Sequence, residues 1–284
     1  MKEKIVEVNC LKHEYPDKTS VHFCGLEFCV REGERVAVIG GNGSGKTTLL
    51  LHIMGILTPT EGQVKVFGLS PHKSFHEVRK HIGVMFQNAE EQILGPTVEE
   101  DVAFTLKNDG FPREEIKGMV QDILEKCNIL PLRKKIPHYL SGGERRKVAL
   151  AGSVVTRPKL LLLDEPFSGV DTKNRTELIS LLNLFNQKFG TAVVLTTHDL
   201  NILPTIADTV YLISHGQIIF RGTVPELFEQ EQLLYSANLE PPTLTRLCSD
   251  LKNMGINIKT PLSTGEAARE ISLHCGQNGQ VVIP

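Results

Sequence analysis

Arg35-Val36-Ala37-Val38-Ile39-Gly40-Gly41-Asn42-Gly43-Ser44-Gly45-Lys46-Thr47 is the stretch on which the fold turns. Its first five residues are apolar on both faces after Arg35, as a strand buried in the middle of a sheet must be. Gly40 to Thr47 then fits G-x-x-x-x-G-K-[ST]. Glycines at this spacing let backbone N–H groups turn inward around phosphate oxygens. Thr47 to Ile56 has helical character, and a helix N-terminus adds positive potential at the same place. A glycine-rich turn that binds nothing is the plain alternative, but such a turn needs neither the strand before it nor the helix after it. The phosphate-binding residues are therefore Gly40, Asn42, Gly43, Ser44, Gly45, Lys46, Thr47 and Thr48. Lys46 is placed to reach the β- and γ-phosphates, and Thr47 to ligate Mg²⁺.

Further along, Leu160-Leu161-Leu162-Leu163 is a short buried strand ending in Asp164-Glu165. In open α/β sheets ligands collect at the C-terminal edge of the strands. Asp164 is expected to hold Mg²⁺ through water, and Glu165 to polarise an attacking water. Together the two motifs describe a P-loop nucleoside triphosphatase, a class shared by kinases, GTPases, helicases and recombinases.

The surrounding pattern gives an α/β protein. Strand-like pieces at Ile5–Val8, Val21–Val30 and Gln63–Val66 precede and follow the central strand. Ala192–Leu195 is a further buried strand, and Val210–Ile213 and Gln217–Arg221 flank the turn Ser214-His215-Gly216. Strands alternating with helices imply a mostly parallel sheet. From about 97 to 150 the character is helical. Thr97-Val98-Glu99-Glu100 opens a helix as a capping box, and Pro112 stands where a first helical residue belongs. Ile116, Met119, Val120, Ile123, Leu124 and Cys127 recur at helical spacing, which predicts core packing. Residues 222–284 read as a small C-terminal module beyond a main domain of residues 1–221. That module has one helix through Leu244, Leu247, Leu251 and Met254, and another over Glu266–Leu273.

The bulk properties of the 284 residues narrow the setting. A net charge of −2 offers no global basic field, so no nucleic-acid partner is expected. No run approaches the roughly 18 apolar residues of a spanning helix; Leu49 to Leu57 is interrupted by His52 and Gly55. The first residues alternate polar and apolar, unlike a signal peptide. The chain is thus expected in the cytosol, reaching a membrane only through partners. Its cysteines (Cys10, Cys24, Cys29, Cys127, Cys248, Cys275) form no CxxC pair and read as buried thiols in a reducing compartment.

Leu140-Ser141-Gly142-Gly143-Glu144, followed by Arg145-Arg146-Lys147, separates this chain from other P-loop proteins. It resembles the signature of ABC (ATP-binding cassette) ATPases. The remaining motifs of that family follow in order from about Ile5 to Arg221. Tyr15 resembles the aromatic that stacks on adenine, and Gln87 the glutamine that senses Mg²⁺ and the attacking water. Ser168-Gly169-Val170-Asp171 resembles the loop that crosses between subunits, and His198 the histidine that contacts the γ-phosphate. The resemblance implies an antiparallel pair of mostly parallel-sheet cores, each with an antiparallel β subdomain and an α-helical subdomain. Lys46, Glu165, Gln87 and His198 would then serve catalysis on one subunit. Ser141, Gly142, Gly143 and Glu144 would meet the ATP of the other, with one chain carrying both half-sites intact and so favouring a homodimer.

Glu144 departs from the family pattern, where Gln is common. Ser141 and Glu144 also form an S-x-x-E capping box worth about 1 kcal/mol. Ser141 is expected to cap its helix in the open state and turn to phosphate on closure, slightly opposed by the Glu144 charge. Phe86 to Phe104, and less strongly Leu239 to Leu247, are similar to the A components of energy-coupling-factor importers, especially the CbiO-like cobalt or nickel group. That implies a transmembrane coupling protein and a substrate-binding membrane protein as partners, at the cytoplasmic face of the membrane. A vitamin importer or another ABC importer is the alternative. An ABC protein of DNA repair would need a long coiled-coil insertion, and a translation factor two cassettes; this chain has neither. The C-terminal module either reinforces the dimer or packs on its own domain.

Overall fold

The computed structural model describes residues 2–23, 26–256 and 258–277. Strands β1 (Lys4–Glu14), β2 (Ser20–Phe23), β3 (Phe28–Arg31) and β5 (Glu61–Val66) make a four-stranded antiparallel sheet in which β1 pairs with the other three. A second sheet has the order β10-β9-β4-β8-β7-β6. It contains β4 (Arg35–Ile39), β6 (Ile82–Met85), β7 (Leu160–Leu163), β8 (Ala192–Thr197), β9 (Thr209–Ser214) and β10 (Gln217–Gly222). All neighbours in it are parallel except the β9–β10 hairpin.

The parallel sheet divides the molecule, because alternate residues of each strand face opposite sides. Val36, Val38, Leu160, Leu162, Val194, Tyr211 and Ile213 join one apolar cluster with the antiparallel sheet and with Leu49, Leu50 and Ile53. Ala37, Ile39, Leu161, Leu163, Val193, Leu195 and Leu212 join the other, with the helical segment and the Gly142–Val154 helix. Every residue of β7 and β8 is buried, as the apolar runs require.

Several details differ from the sequence expectation. Val21–Val30 is not one strand but β2 and β3, paired with different stretches of β1. Pro112 is the cap residue of the Arg113–Lys126 helix, one position before the first helical residue. Ile116, Val120, Ile123, Leu124 and Cys127 are buried as expected, and Met119 packs against them. Cys29, Cys127 and Cys248 are buried free thiols. Cys10 is not: it is exposed on β1 and disulfide-bonded, at a residue with φ of 45°. Cys24 and the Cys275 side chain lie outside the described residues.

Beyond residue 222 the chain is helical, with Thr243–Asn253 and Thr264–Gln277 the longest elements. Val224, Leu227, Phe228, Leu234 and Leu239 are buried in the helical-face core, so burial is continuous across that point. Leu247 and Met254 on the Thr243–Asn253 helix stay 42% and 64% exposed.

Candidate functional site

The glycine-rich loop runs from the end of β4 to a helix spanning Lys46–Ile53. Two positions need glycine for different reasons. A Cβ on Gly40 would stand 2.3 Å from the Ile213 carbonyl oxygen, so the loop fits against β9 only without a side chain. Gly45 precedes the helix at φ 106°, a backbone that other residues rarely adopt. The Lys46 ammonium is buried and donates to the carbonyls of Gly40 (2.9 Å) and Gly41 (3.1 Å). Burial pulls its pKa down, against the opposing charges of Glu165 and Asp164. The Ser44 hydroxyl is buried with no hydrogen-bond partner among the described residues. A buried orphan hydroxyl in a loop of inward N–H groups is what a phosphate oxygen would satisfy.

β7 delivers the carboxylates. Its ladder with β6 continues one residue further, where Asp164 N donates to Met85 O at 2.9 Å. Asp164 then accepts from both sides: Thr47 Oγ1 at 2.8 Å and Thr196 Oγ1 at 2.6 Å. Glu165 sits at φ 45°, a conformation costing of order 1–3 kcal/mol in a non-glycine residue. Its amide donates to Thr196 Oγ1 at 2.9 Å. This fixed backbone aims the Glu165 carboxylate between Lys46 Nζ, 3.8 Å away, and His198 Nδ1, 3.0 Å away. Gln87 is exposed two residues beyond β6, at the same sheet edge. Tyr15 lies between β1 and β2, with its hydroxyl 2.8 Å from Thr48 Oγ1.

The Ser141 group is built differently. Ser141 caps the Gly142–Val154 helix in a complete capping box. Glu144 Oε2 accepts from both the Ser141 amide and the Ser141 hydroxyl, each at 2.8 Å. These bonds, the backbone one first, hold the Glu144 carboxyl below its usual range. A Cβ on Gly143 would meet the Asn174 side chain at 2.4 Å. Asn174 is in turn held by Asp171, which accepts from its backbone at 3.0 Å and its side-chain amide at 2.6 Å. No hydrogen bond or ion pair among the described residues joins Ser141–Glu144 to the glycine-rich loop. The structure thus brings Lys46, Thr47, Asp164, Glu165 and His198 together and leaves Ser141, Gly142, Gly143 and Glu144 apart.

The model of the family described as ABC transporter matches residues 23–168. The chain belongs to the ABC transporter ATP-binding family. It is 40% identical to the energy-coupling factor transporter ATP-binding protein EcfA of Methanocaldococcus jannaschii, over 94% of this chain and 96% of that one. The EcfA of Methanococcus maripaludis is 39% identical over 94% of this chain and 97% of its own length. Among solved structures, cbiO1 of Clostridium perfringens, described as part of the ABC transporter complex cbiONQ, superposes with a TM-score of 0.75. It is 32% identical, over 87% of this chain and 100% of that one. This ABC protein is accordingly an ATPase subunit of the energy-coupling-factor type, which binds and hydrolyses ATP. No helix among its described residues is long and apolar enough to cross a membrane.

Several residues that shape this ATPase site were not foreseen from the sequence. Thr196 grips both Asp164 and Glu165; its only signal was its place at the C-terminal end of a buried strand. Gln92 pins the loop around Gln87, accepting from Phe86 N at 3.1 Å and donating to Val84 O at 2.7 Å. Arg146 donates to Pro166 O at 3.0 Å, tying the Ser141 helix to the turn that carries Glu165.

Proposed function

We propose that two copies of this chain trap ATP–Mg²⁺ between the Lys46 loop of one and the Ser141 group of the other, and that hydrolysis reopens the pair to drive an importer of cobalt or nickel ions. The carrying observation is the separation just described. Lys46, Thr47, Asp164, Glu165 and His198 meet within one subunit, while Ser141 and Glu144 lie apart, bonded to each other in their own cap. Gly40, Asn42, Gly43, Ser44, Gly45 and Thr48 would cradle the phosphates and Tyr15 the adenine. Thr47 and Asp164, with Gln87 near them, present hard oxygen donors that suit Mg²⁺. That ion takes few protein ligands and relies on phosphates and water for the rest. Bound there, it would supply positive charge to offset the negative charge of the phosphates. Lys46 and His198 stabilise negative charge on the γ-phosphate, and Glu165 orients the attacking water and receives its proton. Asp171, capping the Thr172–Phe189 helix beside Gly143, sits where the crossing loop would register the partner subunit. Converting a pair from 1:99 closed to 99:1 takes about 5.5 kcal/mol of differential binding, which two nucleotides gripped from both sides can supply.

The membrane partners would dock at the cytoplasmic face, on the surface following Gln87. There Phe86, Leu94 and Phe104 are 40%, 70% and 46% exposed. Asp101 holds the protruding Leu94 in place by accepting from Leu94 N at 2.8 Å and Gly95 N at 2.9 Å. The exposed seam of Leu247 and Met254 would reinforce the dimer. Support for cobalt or nickel comes from the resemblance of Phe86–Phe104 to the cobalt or nickel group of energy-coupling-factor importers. The test is to purify the chain from membranes, identify the proteins that accompany it, and reconstitute them in vesicles with ATP inside the cytoplasmic-side compartment. ATP-dependent uptake of labelled cobalt or nickel is expected. Uptake of a vitamin instead would move the assignment to a vitamin importer, and no accompanying membrane protein would overturn the transport role.

A further inference from the structure

Behind Tyr15 lie two buried imidazoles that hydrolysis does not use. His13, on β1 and only 9% exposed, stands edge-on to Tyr15 with ring centroids 4.5 Å apart and an interplanar angle of 80°. His52, 1% exposed, meets His13 in turn at 4.8 Å and 72°. His52 belongs to the helix that begins at Lys46, as does Thr48, which holds the Tyr15 hydroxyl. Tyr15 is therefore fixed at two points to one helix: directly at its hydroxyl, and through His13 and His52 at its ring.

The pair is hard to account for as packing alone. His13 Nδ1 and both ring nitrogens of His52 are buried without a well-formed hydrogen bond among the described residues. A Leu or Phe would fill such space without burying unpaired polar atoms. Burial pushes the His52 pKa down to about 4, so it is a neutral ring at ordinary pH. What the two imidazoles provide is a set of flat rings meeting edge to face, the arrangement that aromatic quadrupoles favour.

We infer that His13, backed by His52, is a positioning residue that sets the Tyr15 ring as a nucleobase platform in register with the phosphate loop. This rests on Tyr15 being that platform. The base and the phosphates of one nucleotide are then measured from the same rigid helix, and a tilt of Tyr15 weakens the base contact without touching the phosphates.

The test separates base from phosphates by comparing equilibrium binding of Mg-ATP with that of Mg-tripolyphosphate, which has no base. His13→Ala should weaken ATP binding about five- to tenfold, the scale of a lost edge-to-face contact, and leave tripolyphosphate within about twofold. His13→Phe, which keeps a ring, should restore ATP binding. His13→Gln, of similar length without a ring, should behave like His13→Ala and serves if the alanine variant folds poorly. Equal losses for both ligands, no loss for either, or no rescue by phenylalanine would overturn the inference. Tyr15→Ala tells the two readings apart. If it spares ATP, the platform reading itself falls. If it weakens ATP alone while His13→Ala changes nothing, only the role of the histidines falls.

Discussion

The Lys46 half-site and the Ser141 half-site are both helix N-termini, yet they are held in opposite ways. Around Lys46 the ammonium, both carboxylates and Thr196 are buried, with Thr47 and His198 at the open rim, and three strands cross-link them: β4 brings the loop, β7 the carboxylates, and β8 Thr196 with His198 just past its end. At Ser141 the polar groups are exposed and bonded to a residue three positions away on the same helix. The first arrangement is preorganised, so little reorganisation is left for the moment of reaction. The second would act as a latch under the proposed function: the Ser141 hydroxyl and amide donate to Glu144 and would have to leave it before donating to anything else. Under the proposed function, a subunit built this way would hold nucleotide alone but complete the reaction only with a partner.

The largest effect expected from this contrast is at Glu165. Glu165→Gln keeps the shape of the side chain and removes the proton acceptor. Phosphate release should fall about 10²- to 10⁴-fold, while ATP binding stays within a few-fold and the ATP-bound pair persists by gel filtration. Turnover within about tenfold of wild type would remove Glu165 from the assembled half and place the chemistry elsewhere.

Acid should strain the two halves at different pH. The His52 pKa is pushed down to about 4 in the fold against an ordinary 6.5, because burial first and the neighbouring His13 next disfavour its charge; the Leu57 backbone opposes them, and His72 adds a smaller push downwards. Between those values the unfolded chain holds more protons, so stability is lost as pH falls from about 6.5 towards 4. The loss from this group is on the order of 2 kcal/mol between pH 7 and pH 5. Glu144 behaves otherwise. Its pKa is lowered from an ordinary 4.5, so its cap is present above that value and is lost only further down. Urea denaturation at the two pH values should show a smaller pH effect for His52→Leu than for wild type. An identical pH effect in both would mean that His52 is not held neutral.

Much of this contrast was legible in the chain. Gly40–Thr47, Leu160–Glu165 and Leu140–Glu144 carry their chemistry in local order, and even the Ser141 cap follows from four consecutive residues. What escaped depends on contacts distant in sequence. Thr196 reaches Asp164 only because β7 and β8 are neighbours, an adjacency that no local pattern encodes. Cys10 lost its place among the buried thiols because the β1 register shifts between Asn9 and Lys12, where Cys10 takes a φ of 45°, so the inward alternation through Val8 resumes at Leu11 and not at Cys10. The Tyr15–His13–His52 stack needs β1 laid against the Lys46 helix. Val21–Val30 reads as one apolar run, yet its two ends pair with different stretches of β1, which only the sheet shows.

The smallest effects lie at the latch, and they test it most directly. Glu144 Oε2 takes two hydrogen bonds from Ser141, and bonds to a charged acceptor are stronger than neutral ones. Glu144→Gln preserves an acceptor oxygen but weakens both bonds and removes a negative charge that lies close to where a tetra-anion would bind. The cap should lose a few tenths of a kcal/mol, while the ATP concentration for half-maximal turnover should fall about two- to fivefold. Ser141→Ala costs the cap about 1 kcal/mol but should behave oppositely in function, lowering turnover while leaving ATP binding to a single subunit unchanged. The opposite signs are what matter, because both substitutions weaken the same cap. If the cap were Ser141's whole purpose, the two would change stability together and leave ATP dependence alone. A gain for one and a loss for the other requires that the Ser141 hydroxyl have a second partner, and that Glu144 compete with it.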